Sequence, residues 1–194
     1  MIDTDIFVHP HALIEENVKI GSKTRVWAFA HILFGAIIGD ECNICDHTFI
    51  EGNVRVGNNV TIKCGVYLWD GVIIENDVFV GPCVTFTNDY RPRSKCYPNK
   101  YLQTHLKQSC SIGANATLLP VKIGQWAMVG AGSVVIHDVA DHALVLGNPA
   151  KQKGWVCCCG QKLDFNTGHT QKKASCSCGC NFILNVKKQL VVQV

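Results

Sequence analysis

The sequence predicts an all-β chain wound as a parallel β-helix of six-residue repeats, and three observations predict it. Stepping by six from Val8, through Ile14, Ile20 and Val26 to Val80 and Phe86, gives fourteen positions, all apolar and mostly β-branched. With 47% of residues apolar, chance gives such a run in about two cases per ten thousand over all six phases. A second column, four residues after the first, runs from Ala12 to Val84 and holds only small or β-branched side chains. Finally, the period fits neither the 3.6 residues of a helical turn nor the alternation of a half-buried strand.

Each six-residue unit supplies one short strand and one corner of a triangular prism. A coil is then 18 residues, and coils stack about 4.8 Å apart. The large aliphatic column fills the prism, the smaller column sits where walls converge, and each coil is buried by its neighbours. Gly21, Gly39, Gly57 and Gly81 follow the first column, where glycine is expected to relieve the chain as it leaves a strand for a corner.

The phase breaks after Phe86. Residues 87–111 contain DYRPRSKCYPNKY and no repeat. The pattern resumes at Ile112 and Leu118, slips by a five-residue step to Ile123, and continues through Val129 and Val135. Packing does not require so long an excursion inside a regular solenoid, which points to function. Residues 1–136 are therefore expected to form the β-helix, with its loop at 87–111. Residues 137–156, containing HDVADHALVLGNPAKQKGW, are expected to cap the open prism and cover its strand edges. Residues 157–194 form a cysteine-rich tail.

Composition narrows the function. The 18 Lys and Arg nearly balance 15 Asp and Glu, and a net charge of +3 lacks the basic footprint of a nucleic-acid binder. The N-terminal MIDTDIFVHPHAL carries acids where a signal peptide needs positive charge. No run approaches the roughly 18 apolar residues of a membrane span. A cytoplasmic protein is expected, and its twelve cysteines are then not expected to form a disulfide framework. Six of them crowd into residues 157–180, as VCCCGQKLDF and CSCGCNFIL, each with Cys-x-Cys-Gly. The pair resembles a zinc ribbon, in which four thiolates close a tetrahedral structural site. Cys157, Cys159, Cys176 and Cys178 are the candidate ligands, with Cys158 and Cys180 as alternatives. The usual Cys-x2-Cys spacing is absent, and a metal-free relic with free thiols is the competing reading.

Stacking arithmetic places distant residues together. Gly52, Asp70 and Asn88 are 18 apart and form one expected column; Glu51, Trp69 and Thr87 form the next. A carboxylate, an amide and an indole at the base of the excursion make a polar pocket suited to a sugar. Equally, Asp70 and Asn88 are Asx residues of the kind that hydrogen-bond a corner. In another column His47, from ICDHTF, lies beneath Gly65 and Cys83. It is a candidate base or a solvent-exposed corner histidine. Cys83 permits an acyl-cysteine intermediate, although direct transfer is preferred and free cysteines also pack as small core residues. Cys42 falls in the small column and is expected to be packing. Arg91 and Arg93 suit a diphosphate or a sugar carboxylate, with a solvated arm as the alternative; Lys63 is a further candidate. His31 is expected on a wall near a subunit contact.

The segments KCGVYLWDG (63–71), VFVGPCVTFTND (78–89), RPRSK (91–95) and SIGANATLLP (111–120), with the ending VGAGSVV…DVADHALVLGNPAK, resemble the hexapeptide-repeat acyltransferases. Within them the resemblance is to nucleotide-linked 3-amino-sugar N-acetyltransferases of bacterial surface polysaccharide (O-antigen) synthesis, over roughly residues 8–160. It implies a left-handed winding, against the usual right-handed crossover. It also implies a homotrimer, with acetyl-CoA between neighbouring prisms and a UDP- or dTDP-linked amino sugar beside the excursion of an adjacent subunit. Asn88 then lies near the reacting amine, while Ala131, Ser133, Asn148, Pro149 and Lys151 meet the coenzyme. The segment LLPVKIG departs from the pattern in lacking a glycine before Val121.

The chemistry asks little of the protein. A sugar amine flanked by electron-withdrawing oxygens is less basic than lysine, so a weak base or an orienting polar group suffices. Corner N–H groups can hold the oxyanion. O-acetylation, or acylation of another amine, fits the same scaffold. A non-catalytic assembly module is the alternative of different class, and it should not bind coenzyme. A β-helix carbonic anhydrase is disfavoured, since His31 and His47 are not one coil apart.

Overall fold

Two residues per strand is what a six-residue repeat allows, and among the described residues twenty such strands wind into three parallel sheets. The structure is a computed structural model and describes residues 5–165, 171–185 and 190–194. Residues 1–4 of the expected β-helix, and 166–170 and 186–189 of the expected tail, lie outside the described residues. Wall A runs from Phe7–Val8 to Met128–Val129, wall B from Leu13–Ile14 to Val134–Val135, and wall C from Lys19–Ile20 to Lys122–Ile123. Phe7 pairs with Arg25, Leu13 with His31 and Lys19 with Ile37, so the 18-residue winding holds on every wall.

Both columns point inward. Ile32, Ile44, Ile50, Ile62 and Leu68 are fully buried, as are Ala30, Ala36, Val54 and Val60 of the smaller column. Each large side chain so buried stabilises by about 1.5–3 kcal/mol. Val8, Ile14 and Ile20, on the terminal coil, are only half-buried. Cys42 packs as expected, at 1% exposure, its thiol donating to Gly57 O (3.1 Å).

The structure changes the reason for the glycines. A Cβ on Gly57 would lie 2.8 Å from Asn76 N and 2.9 Å from Glu75 C, in the next coil. A Cβ on Gly21 or Gly39 would likewise meet backbone of the next coil. None of the three has a left-handed φ, so close approach of coils excludes a side chain there, not conformational freedom.

The excursion ends earlier than Ser111. His105–Leu106 already pairs with Ile73–Ile74 on wall C, and Leu106 and Cys110 are fully buried. Leu106 and Cys110 lie six residues before Ile112 and Ala116, in phase with the resumed repeat, so stepping back by six finds this hexad in the sequence. The short corner between Leu118 and Ile123 meets the excursion. The Tyr90 hydroxyl, on the excursion, donates to Pro120 O (2.9 Å) and ties the arm to that corner.

At the far end, Ala143–Leu146 joins wall A in parallel, and Lys151–Trp155 folds back antiparallel on it. In the tail, Gln171–Ser175, Asn181–Asn185 and Leu190–Gln193 form an antiparallel sheet. His142 joins the two: its ring meets Phe182 edge-on at 5.3 Å, and its Nδ1 is 3.0 Å from Val156 O. Burial holds the His142 pKa below its ordinary value, against the opposing effects of Val156 O and Asp141. The unfolded chain therefore binds the proton more readily. Stability is expected to be intact above the ordinary histidine pKa of about 6.5 and to fall as pH drops below it. Thermal melts across pH 5–8 check this, and His142→Gln should flatten the acid limb.

Candidate active site

The corner between walls A and B stacks His11, Phe29, His47, Gly65 and Cys83. Above His11, each is joined to the coil below by a backbone hydrogen bond, such as His47 N–H to Ala28 O (3.2 Å) and Cys83 N–H to Cys64 O (3.0 Å). Phe29, His47 and Cys83 hold left-handed φ values of 60°, 57° and 55°. The imidazole of His47 is exposed and stacks on Phe29, with ring centres 4.9 Å apart. A Cβ at Gly65 would meet only Cys83 Sγ, at 3.3 Å, so the space above His47 is open. Lys63 is half-buried on the same corner.

The corner between walls B and C carries Glu51, Trp69, Asp70 and Asn88, but not as a single pocket. Asp70 accepts from Asn53 N–H (3.0 Å) and Nδ2 (3.4 Å), in the coil below. Glu51 Oε2 accepts from Asp70 N–H (2.6 Å). Elsewhere Glu15 accepts from Phe34 N–H (2.9 Å) and Glu75 from Gln108 N–H (2.9 Å). Asp40, Asn58 and Asn76 form a similar ladder on the third corner. Asp70 and Glu51 therefore clamp coils, which is the corner reading of Asp70. Trp69 turns its indole N–H to Phe86 O (2.8 Å), where Ile50 O and Leu68 O accept backbone N–H groups. The ladder thus opens where the excursion leaves.

Asn88 stands differently. It is half-buried at the root of the excursion, and its carbonyl is fixed by Leu102 N–H (3.1 Å). Among the described residues, none hydrogen-bonds to its carboxamide. Its neighbour Asp89 is occupied, accepting from Arg91 N–H (2.7 Å). Arg91 and Arg93 are exposed on the excursion.

Two grooves flank this corner. One, of about 370 Å³, crosses wall B from His47 to Trp69 over Phe49 and Tyr67. The other, of about 420 Å³, lies on the wall C side between Asn53, Arg55 and Asp70 and the excursion residues Lys100 and Tyr101. Trp69 and Asp70 thus open to different grooves. Phe49 and Tyr67 were missed although stepping by 18 from His31 reaches both. Lys100 and Tyr101 carry no repeat signal. His31 lies half-buried on wall B, with Nε2 3.0 Å from Glu15 Oε1.

Of the residues assigned to coenzyme, Ser133 is fully buried, and its hydroxyl accepts from Gly147 N–H (3.1 Å). It shapes the turn rather than facing solvent. Ala131, Asn148, Pro149 and Lys151 are exposed around that turn, which lies along Val134 through Val134 N–H to Gly147 O (3.0 Å) and Ala150 N–H to Val134 O (2.8 Å).

In the tail, the sulfurs of Cys157, Cys159, Cys176 and Cys178 lie within 4.8 Å of one another, and so do those of Cys157, Cys158, Cys178 and Cys180. Backbone N–H donation from Cys180 draws the Cys178 thiol down to about 6, while burial pushes Cys157 up.

Fold and corners together are those of a hexapeptide-repeat β-helix. The family of bacterial transferase hexapeptides (six repeats) matches residues 53–88, and the hexapeptide repeat of succinyl-transferase matches 108–136. The chain is 56% identical over 174 residues to a dTDP-3-amino-3,6-dideoxy-alpha-D-galactopyranose 3-N-acetyltransferase of Aneurinibacillus thermoaerophilus, covering 89% of this chain and 88% of that protein. A hexapeptide-repeat acetyltransferase of Vibrio cholerae, solved with acetyl coenzyme A, is 26% identical with a TM-score of 0.56, covering 63% of this chain and 72% of that one. The fold is shared with LpxA, a UDP-N-acetylglucosamine acyltransferase of Bacteroides fragilis (19% identity, TM-score 0.59, 80% of this chain and 74% of that one). The chain belongs to the hexapeptide-repeat nucleotide-sugar N-acetyltransferases. Among the described residues, no helix is long and apolar enough to cross a membrane.

Proposed function

We propose that this chain transfers the acetyl group of acetyl-CoA to the 3-amino group of a dTDP-linked 3-amino-3,6-dideoxyhexose, in the synthesis of a bacterial surface polysaccharide in the cytoplasm. The observation that carries the reading is the 56% identity to an enzyme named for that reaction, over 89% of the chain. The amine nitrogen attacks the thioester carbonyl, a C–N bond forms, and the C–S bond breaks. The coenzyme leaves as a thiolate, which the amine's surplus proton neutralises directly or through His47. The unengaged carboxamide of Asn88 orients the amine, and Arg91 and Arg93 meet the diphosphate. Ala131, Asn148, Pro149 and Lys151 border the coenzyme. Asp70, Glu51 and Trp69 act by holding the coils from which Asn88 projects.

The excursion root and the coenzyme turn lie on opposite edges of wall B. A homotrimer that sets one subunit's excursion against the next subunit's turn completes the site. Phe29 (56% exposed) and Tyr67 (50%) provide apolar surface for such packing. The tail thiolates suit a structural zinc ion.

Thiol release from acetyl-CoA, measured against 3-amino and 3-hydroxy sugars on dTDP and UDP, tests the proposal. Turnover is expected only with the amines, and faster on dTDP. Coenzyme binding without turnover on any 3-amino sugar would reject the acceptor. Absence of coenzyme binding would favour an assembly module.

A further inference from the structure

We propose that the tail binds two zinc ions in one six-thiolate cluster, with Cys157 and Cys178 bridging them. This rests on the structural-zinc reading above and deepens it from one ion to two. The two quartets of mutually close sulfurs are not alternatives, because they share Cys157 and Cys178 and together use all six tail cysteines.

The distances fall into the pattern that two edge-sharing tetrahedra require. A zinc–sulfur bond of about 2.3 Å sets tetrahedral edges of about 3.8 Å, somewhat less across a shared edge. The shared pair, Cys157 and Cys178, is 3.4 Å apart. Cys159 and Cys176 form one terminal edge at 3.4 Å, and Cys158 and Cys180 the other at 3.5 Å. Cys157 to Cys158, an edge of the second tetrahedron, is 3.7 Å. A single ion on Cys157, Cys159, Cys176 and Cys178 leaves Cys158 and Cys180 as a close pair of idle thiols against a thiolate cage.

The backbone is built for such a site. Two like turns face each other, and each gives three sulfurs. The first is closed by Gly160 N–H to Cys157 O (2.8 Å) and Cys157 N–H to Gln161 O (2.8 Å). The second is closed by Gly179 N–H to Cys176 O (2.9 Å) and Cys176 N–H to Cys180 O (2.9 Å). Six thiols lose their protons to solvent as two Zn²⁺ bind, leaving the cluster with a net charge of −2. Zinc fits because it is redox-inert, accepts four thiolates and has no preference that opposes tetrahedral geometry. Without signal from the repeats, the cluster also gives this small sheet a source of stability its few core residues lack.

Native mass spectrometry with elemental analysis of the full chain, purified without chelators, reads the stoichiometry. Two zinc ions per chain are expected. Cys158→Ser, Cys180→Ser, Cys159→Ser and Cys176→Ser should each lower the count from two to one, and Cys178→Ser should bring it below one. Cobalt titration of the metal-stripped wild-type chain should saturate at two equivalents, a readout independent of how any variant folds. A count of one that Cys158→Ser leaves unchanged overturns the two-ion cluster and retains the single-ion reading. Iron in place of zinc, or a metal-free chain six hydrogens lighter from three disulfides, overturns both. None of these readouts depends on acetyl transfer.

Discussion

Asn88→Ala is expected to lower kcat/KM by about 10²- to 10³-fold, the usual loss when one preorganised polar group at a reacting centre is removed. The fold and the oligomer should persist, because none of the described residues hydrogen-bonds to that carboxamide. Its neighbours are committed: Asp70 to Asn53, Asp89 to Arg91 N–H, and the Trp69 indole to Phe86 O. A half-buried amide whose backbone carbonyl is fixed by Leu102 N–H, and whose carboxamide has no partner among the described residues, can turn to a substrate at no cost to the coil. Thiol-release kinetics together with size-exclusion elution check both halves of the prediction. Asp70→Ala is the informative contrast. It removes a clamp between coils, so its effect should appear in the melting temperature as well as in turnover. Near wild-type kcat/KM in Asn88→Ala would take that residue out of the site.

How much of this was legible follows from what a repeat can encode. The walls, the registers and the burial of Ile32 through Phe86 were written in a six-residue period, because every coil meets the same constraint. The aromatic face of His31, Phe49 and Tyr67 was written there too, in the outward position preceding each core residue. The period could not say which way a polar side chain turns. Asp70 and Asn88 looked alike by arithmetic, yet the carboxylate bonds to the coil below while the amide projects free. Nor could it assign Ser133, whose hydroxyl is held by a Gly147 N–H fourteen residues away in a turn outside the repeat. Lys100 and Tyr101 sit on an excursion with no period. The tail cysteines offered a set of thiol ligands by residue type, but the two sulfur quartets they form depend on how two turns face each other.

Gly57→Ala should destabilise the β-helix by about 3 kcal/mol, near the upper end of the usual cost of overpacking. The new methyl would sit 2.8 Å from Asn76 N and 2.9 Å from Glu75 C, and backbone cannot swing aside as a side-chain end can. To make room, two coils must separate where Gly57 N–H donates to Ile74 O (2.8 Å). Gly35 offers the opposite case. Its φ is +87°, but a Cβ there would approach nothing closer than Gly52 O at 3.4 Å, so Gly35→Ala should cost only about 1–2 kcal/mol for the left-handed backbone. The fold already accepts that cost: among the described residues thirteen non-glycine residues, His47 and Cys83 included, hold a positive φ at its corners and turns. Left-handed corners therefore tolerate side chains, whereas the positions beneath the next coil's backbone do not. Chemical denaturation of the two variants decides between the accounts. If Gly35→Ala proves the more damaging, conformational freedom rather than close approach of the coils explains the glycine column.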